Sequence, residues 1–222
     1  MVTMFLDTAN INEINECMKT GVLKGITTNP TILLKENINR FKQIENILGT
    51  NTELLFVQLI GDTLEEMYDD YEKLNSIKGC KKIAYKVPIN LIGLEVVNKI
   101  KSNNPKTIVL GTAIYSADQG ILAALAGCDY VAPYVNRMSN NNINPFDAIS
   151  KMRLFYDDRE LECKILAASF KNTNQILDAL EAGAHTCTIP TDLFKQMVNK
   201  DLALNAIKVF NHDGQKLDEM TK

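Results

Sequence analysis

What most constrains this chain is a repeated order of signals: an apolar, strand-forming run, then a capping residue, then a segment of helical period. Runs rich in Val, Ile, Leu and Phe fall at 2–7, 24–29, 54–59, 82–89, 107–114, 130–135, 164–169 and 186–190. They read as strands, and they recur at intervals of roughly 20 to 35 residues with amphipathic stretches between them, the spacing of βαβ units on a parallel sheet. Thr63 stands three residues before Glu66, Ser116 before Gln119 and Asn172 before Gln175, each the pattern of a capping box at a helix N-terminus. Gly127 and Gly183 fall where a helix C-terminus favours a residue of positive φ.

Eight such units predict a closed, single-domain (β/α)8 TIM barrel over 1–222, although a barrel of this kind more often needs about 250 residues. An open doubly wound sheet is the alternative. That fold usually carries a glycine-rich turn after its first strand, to let a pyrophosphate approach a helix N-terminus. Here the turn reads LDTAN, and no G-x-x-x-x-G-K-[ST] loop occurs elsewhere. The barrel is favoured. From about 200 to 222 the sequence begins with helical period and ends hydrophilic, which predicts a C-terminal helix and tail.

Charge and composition narrow the function classes. A net charge of −3 with 23% charged residues gives no clustered basic surface for nucleic acid. No apolar run approaches the ~20 residues that a membrane span needs, and the opening MVTMFLDTAN reaches Asp7 before a signal-type stretch can form. A cytoplasmic location without nucleic-acid or membrane partners is expected. Cys17, Cys80, Cys128, Cys163 and Cys187 are widely spaced without a C-x-x-C pair, as suits reduced, buried thiols. A catalytic zinc site wants a cluster of imidazoles, whereas only His185 and His212 are present. No metal or other cofactor is expected.

Side chains alternate between the faces of a strand, so parity sorts polar residues into interior and exterior. In IAYKVPI, Ile83, Tyr85, Val87 and Ile89 share an apolar face, and Lys86 lies on the other, the barrel interior. Burial lowers a lysine's pKa toward a neutral, nucleophilic amine; a lysine at a strand end can also simply reach water. By the same parity Phe5 pairs with Asp7, Thr27 with Asn29, Phe56 with Gln58, Leu110 with Thr112, Ala132 with Tyr134, and Ala167 with Ser169. Single polar strand ends are commonplace. Seven converging on one rim fit a barrel whose reactive groups come from the C-terminal ends of several strands. Of the four arginines, Arg40, Arg153 and Arg159 lie in helix-like segments, while Arg137 follows strand six. A guanidinium there suits a phosphate, as does an ion pair. Ser169-Phe170-Lys171 could add a hydroxyl and backbone N–H groups.

FLDTAN, GITTNPT, FVQL, YKVPI, LGTAIYS, YVAPYVNR and LAASFK, in that order from Phe5 to at least Pro190, resemble the motifs of the small transaldolase family. Within it the chain is similar to fructose-6-phosphate aldolases: transaldolases carry a glutamate on strand three and a phenylalanine on strand six, where this chain has Gln58 and Tyr134. The resemblance implies Lys86 as a Schiff-base lysine. It implies Asp7, Thr27 and Asn29 around the hydroxyls of a dihydroxyacetone unit. Gln58, Thr112 and Tyr134 would position a water, with Tyr134 the acid/base, and Arg137 and Ser169 would hold a phosphate. Implied too are sugar-phosphate substrates and a ring-shaped homo-oligomer built with the terminal helix. Ile89 and Ile114 depart from the motifs only in apolar size. Transfer of the dihydroxyacetone unit between sugar phosphates, as in the pentose phosphate pathway, stays open beside aldol cleavage. A catalytically silent sugar-phosphate binder is the rival from another class, and it should lack the lysine or its neighbours.

Overall fold

A computed structural model describes residues 4–220; positions 2–3 of the first predicted strand and 221–222 of the tail lie outside the described residues. Eight strands form one closed parallel barrel in chain order: β1 (Met4–Asp7), β2 (Leu23–Thr27), β3 (Leu54–Gln58), β4 (Ile83–Pro88), β5 (Val109–Ile114), β6 (Tyr130–Pro133), β7 (Lys164–Ala167) and β8 (Thr186–Ile189). The helices are α1 (Ile11–Met18), α2 (Pro30–Lys35), α3 (Arg40–Leu48), α4 (Leu64–Asn75), α5 (Leu91–Asn103), α6 (Ala117–Leu125), α7 (Val135–Asn140), α8 (Pro145–Asp158), α9 (Thr173–Glu181), α10 (Thr191–Val198) and α11 (Asp201–Met220). Among the described residues no helix is long and apolar enough to cross a membrane.

Alternation divides the core in two. Phe5, Leu54, Phe56, Ala84, Leu110, Ala132, Leu166 and Ala168 fill the barrel interior, where Phe56 meets Phe5 and Tyr130 edge-on at 5.3 and 5.4 Å. Ile83, Tyr85, Val87 and Ile89 instead join the layer between strands and helices. The packed interior gives the mouth a solid floor.

Parity fails on one strand. Ala167 belongs to the outer layer, and its neighbours Leu166 and Ala168 face inward, so Ala167 and Ser169 do not share an inner face. Ser169 reaches the mouth because the chain leaves β7 through a left-handed turn, with φ 62° at Ser169. Strict alternation assumes extended backbone and ends where that turn begins.

Several strands stop short of their predicted ends because the next residue serves a helix. Asn29 is the N-cap of α2, its side chain accepting from the Ile32 N–H at 3.0 Å, with Pro30 at the first helical position. The three capping boxes form with one alteration. Thr63, Ser116 and Asn172 accept from the N–H groups of Glu66, Gln119 and Gln175. The returning side chains bond the N–H before the cap rather than the cap's own: Asp62, Tyr115 and Lys171 at 2.7, 2.8 and 2.8 Å. Gly127 and Gly183 have φ 103° and 108° just past α6 and α9, as their positions predict.

Candidate active site

Lys86 stands on the inner face of β4, one step above Ala84, and is 5% exposed. Its Nζ donates to the Thr28 carbonyl at 2.8 Å. Burial pushes the amine below the ordinary lysine range, and the Asp7 carboxylate pulls it partly back. Asp7 at the end of β1 shows the mirror effect: burial pushes its carboxyl up, while Lys86, the Thr27 hydrogen bond and Lys35 oppose. Burial thus drives both groups toward their uncharged forms, and a neutral amine is the nucleophilic one.

A hydroxyl chain holds Asp7. Thr27 Oγ1 donates to Asp7 Oδ1 at 2.6 Å and stands 2.6 Å from Thr188 Oγ1; with its proton committed to Asp7, Thr27 accepts from Thr188. Sequence reading missed Thr188. The signal was available, since Thr186 and Thr188 alternate with the outer-layer residues Cys187 and Ile189 on β8.

Opposite these groups, Tyr134 Oη lies 2.9 Å from Thr112 Oγ1. Burial raises the phenol's pKa, only partly offset by that bond, so the phenol keeps its proton at neutral pH. Arg137, one turn into α7, stacks its guanidinium 5.0 Å from the centre of the Tyr134 ring and donates to Tyr115 Oη at 3.3 Å. A cavity of about 120 Å³ is lined by Asp7, Thr27, Asn29, Lys86, Tyr134, Arg137, Ser169 and Thr188 over a floor of Leu110, Ala132, Leu166 and Ala168. Of the residues singled out from the sequence, Gln58 and Thr112 do not line it. Thr112 touches it through Tyr134. Gln58 is the register partner of Lys86 across β3 and β4, and its carbonyl accepts from Arg40 Nη2 at 2.9 Å.

This constellation sits at the C-terminal ends of the strands, where barrels of this kind do their chemistry. Comparison with known protein families matches residues 4–222 to the one described as transaldolase/fructose-6-phosphate aldolase. The chain belongs to that family. Its activity is therefore of the transaldolase/aldolase type.

A larger hollow of about 670 Å³ at the other end of the barrel is lined by Ile108, Cys128, Asp129, Tyr130, Cys163 and Lys164 among others. It has no comparable chemistry. Asp129 is spent on Lys101 at 2.7 Å, and burial pushes the Cys163 thiol up to about 12 and that of Cys128 higher, away from the reactive thiolate. His185, one of two histidines, accepts from the Ile165 N–H through Nδ1 at 3.0 Å and serves the strand.

Proposed function

We propose that the protein is a class I aldolase that cleaves fructose 6-phosphate to dihydroxyacetone and glyceraldehyde 3-phosphate, and forms it in reverse. Neutral Lys86 adds to carbon 2 of the open-chain ketose, and loss of water leaves an iminium. The proton of the carbon 4 hydroxyl passes to bulk water at the open mouth, while a separate water is held by Tyr134 and Thr112. The bond between carbons 3 and 4 then breaks, its electron pair moves into the iminium, and glyceraldehyde 3-phosphate departs. Protonation at carbon 3 of the enamine restores an iminium. The water adds to it with Tyr134 exchanging the proton, dihydroxyacetone leaves, and Lys86 is regenerated. Asp7, Thr27 and Asn29 hold the dihydroxyacetone hydroxyls, and Arg137 with Ser169 grips the phosphate.

The observation that carries this reading is the hydroxyl pair Tyr134–Thr112, 2.9 Å apart, in the same mouth as Lys86. A phenol can move the proton of a hydrolytic water; the phenylalanine of transaldolases cannot. The test is to incubate the enzyme with fructose 6-phosphate alone and then with erythrose 4-phosphate added. Glyceraldehyde 3-phosphate and free dihydroxyacetone from the first incubation support an aldolase. Product only after the second assigns the protein as a transaldolase and overturns the reading.

A homo-oligomer is part of the same proposal. The 20-residue helix α11 buries none of its residues, and Leu202, Ile207 and Phe210 are 86%, 51% and 69% exposed along it. Large apolar side chains on an unburied helix mark an association surface. Sedimentation of the full chain beside one ending before Asp201 tests it, a monomer in both cases counting against assembly.

A further inference from the structure

The side chain of Gln119 lies outside the cavity, against the end of β5. The capping box uses the Gln119 backbone N–H, 3.4 Å from Ser116 Oγ, and its Oε1, which accepts from the Tyr115 N–H at 2.8 Å. The remaining amide group does something a cap does not require. Nε2 donates to the Ile89 carbonyl at 2.7 Å and to the Ala113 carbonyl at 3.0 Å, so both of its hydrogens are used, one just past β4 and one on β5.

Ala113 is the unusual point of that segment. Its φ of 57° is left-handed, which costs a residue with a Cβ and persists only where the surroundings impose it. The register between β5 and β6 shifts between Gly111 and Ile114, so the turn at Ala113 is what re-aims the strand. The residues on either side of Ala113 are those that hold Tyr134. Thr112 Oγ1 meets the phenol at 2.9 Å, and the Ile114 carbonyl accepts the Tyr134 N–H at 3.0 Å. One residue on, the Tyr115 ring packs against Tyr134 at 5.6 Å and the Tyr115 hydroxyl accepts from Arg137. Gln119 therefore grips Ala113 and Tyr115 from outside, while Thr112 and Ile114 hold Tyr134 and Tyr115 itself meets the guanidinium.

We propose that Gln119 is a positioning residue for the reaction: its Nε2 fixes the left-handed turn at Ala113 that sets the Thr112–Tyr134 pair, and its Oε1 fixes Tyr115 and through it Arg137. This rests on the proposed role of Tyr134. The two arms separate by substitution. Gln119→Glu keeps an acceptor for the Tyr115 N–H and loses both donors; Gln119→Met loses everything at similar size.

The experiment measures kcat and KM for fructose 6-phosphate cleavage, transfer to erythrose 4-phosphate, and borohydride trapping of dihydroxyacetone on Lys86, with thermal melts on every variant. Gln119→Glu should lower kcat for cleavage about ten- to a hundredfold, the loss that a small misplacement of a reacting group produces. It should leave KM and adduct formation near wild type and spare transfer. Gln119→Met should lower kcat similarly and also raise KM for the phosphorylated substrate, since Arg137 loses its support. In a Tyr134→Phe background, Gln119→Glu should cause no further fall in the ratio of cleavage to transfer, because the group it positions is gone. Adduct formation on Lys86 shows that a variant is folded at the site even if it melts lower. Variants that form the adduct and keep the wild-type ratio and KM make Gln119 a structural residue and overturn the proposal alone. A Tyr134→Phe enzyme that itself keeps the wild-type ratio overturns the role of Tyr134, and the positioning role of Gln119 falls with it.

Discussion

Lys86 Nζ donates at 2.8 Å to the carbonyl of Thr28, a neutral partner that satisfies one N–H of the amine without supplying the negative charge an ammonium would need at this depth. The nearby carboxylate, Asp7, is itself pushed toward its protonated form. The neutral amine is therefore favoured at lower pH than for a lysine in water, and this has a direct consequence for imine chemistry.

Trapping with cyanoborohydride in the presence of dihydroxyacetone should label Lys86 and rise with pH, levelling off below the ordinary lysine range. Asp7 favours the ammonium, so Asp7→Asn should lower the Lys86 pKa further and move the midpoint of labelling to lower pH. Lys86→Ala should lose the adduct and essentially all activity, and EDTA should change nothing. Peptide mapping of the label across a pH series checks the labelling, and cleavage assays with and without EDTA check the activity. An upward shift in Asp7→Asn would mean that the carboxylate does not act on the amine in the assumed direction.

Arg40 and Asp70 form a bidentate pair at 2.7 and 2.8 Å, with side chains only 18% and 8% exposed. Arg40 also donates to the Gln58 carbonyl, and Asp70 accepts from the Ile60 N–H at 3.1 Å. The pair thus anchors the end of β3 beside Lys86. Removing one partner leaves a buried charge alone, so Arg40→Met should cost about 3–5 kcal/mol. Adding Asp70→Leu should recover much of that loss, since apolar replacement of a whole buried pair is often neutral. Urea denaturation of both variants measures it. A single-variant loss under about 1 kcal/mol would place the pair among exposed ion pairs of little worth.

The barrel was legible because its signals are local. Apolar runs, caps and the glycines past α6 and α9 each act within a few residues, and the parity of β1, β4, β5 and β6 carried Asp7, Lys86, Thr112 and Tyr134 to one mouth. What stayed hidden depends on distant chain or on departures from regular backbone. Ser169 was placed correctly by a wrong route, since its φ of 62° breaks the alternation used to find it. Thr188 obeys the same alternation on β8 and was not singled out. Arg40 reads as one more surface helix residue until α4 brings Asp70 against it. Gln119 looks like an ordinary capping residue, and only the fold brings Ile89 and Ala113 to its amide.

Arg137 is exposed at the cavity rim, where its guanidinium stacks over Tyr134 and donates to Tyr115, and the proposed function gives it the substrate phosphate. A charge-assisted phosphate bond is worth about 1.5–3 kcal/mol, or roughly ten- to a hundredfold in affinity. Arg137→Ala should weaken glyceraldehyde 3-phosphate as an acceptor by that factor while leaving glyceraldehyde nearly untouched. Comparing the two acceptors in the synthetic direction isolates the phosphate from any disturbance of Tyr134, which would affect both. Equal losses would make Arg137 a support for the tyrosine alone.

In the proposed mechanism Tyr134 separates the two reactions that the family joins. Its hydroxyl is 2.9 Å from Thr112 Oγ1 and keeps its proton because burial raises its pKa, so it can lend that proton to, and recover it from, a water attacking the iminium. Tyr134→Phe removes the exchange but leaves Lys86, Asp7 and the apolar floor in place. Cleavage of fructose 6-phosphate should fall by about the 10²–10⁴ of a lost general acid/base. The enamine, no longer released quickly as dihydroxyacetone, should survive to meet a second aldose. Transfer to erythrose 4-phosphate should then be spared, and should rise relative to cleavage. Assays of both reactions on wild type and variant, with a thermal melt to check folding, supply the comparison. If the phenol merely fills space, the variant melts lower and both activities drop in proportion; an unchanged ratio of cleavage to transfer would remove Tyr134 from the chemistry and with it the chief support for an aldolase over a transaldolase.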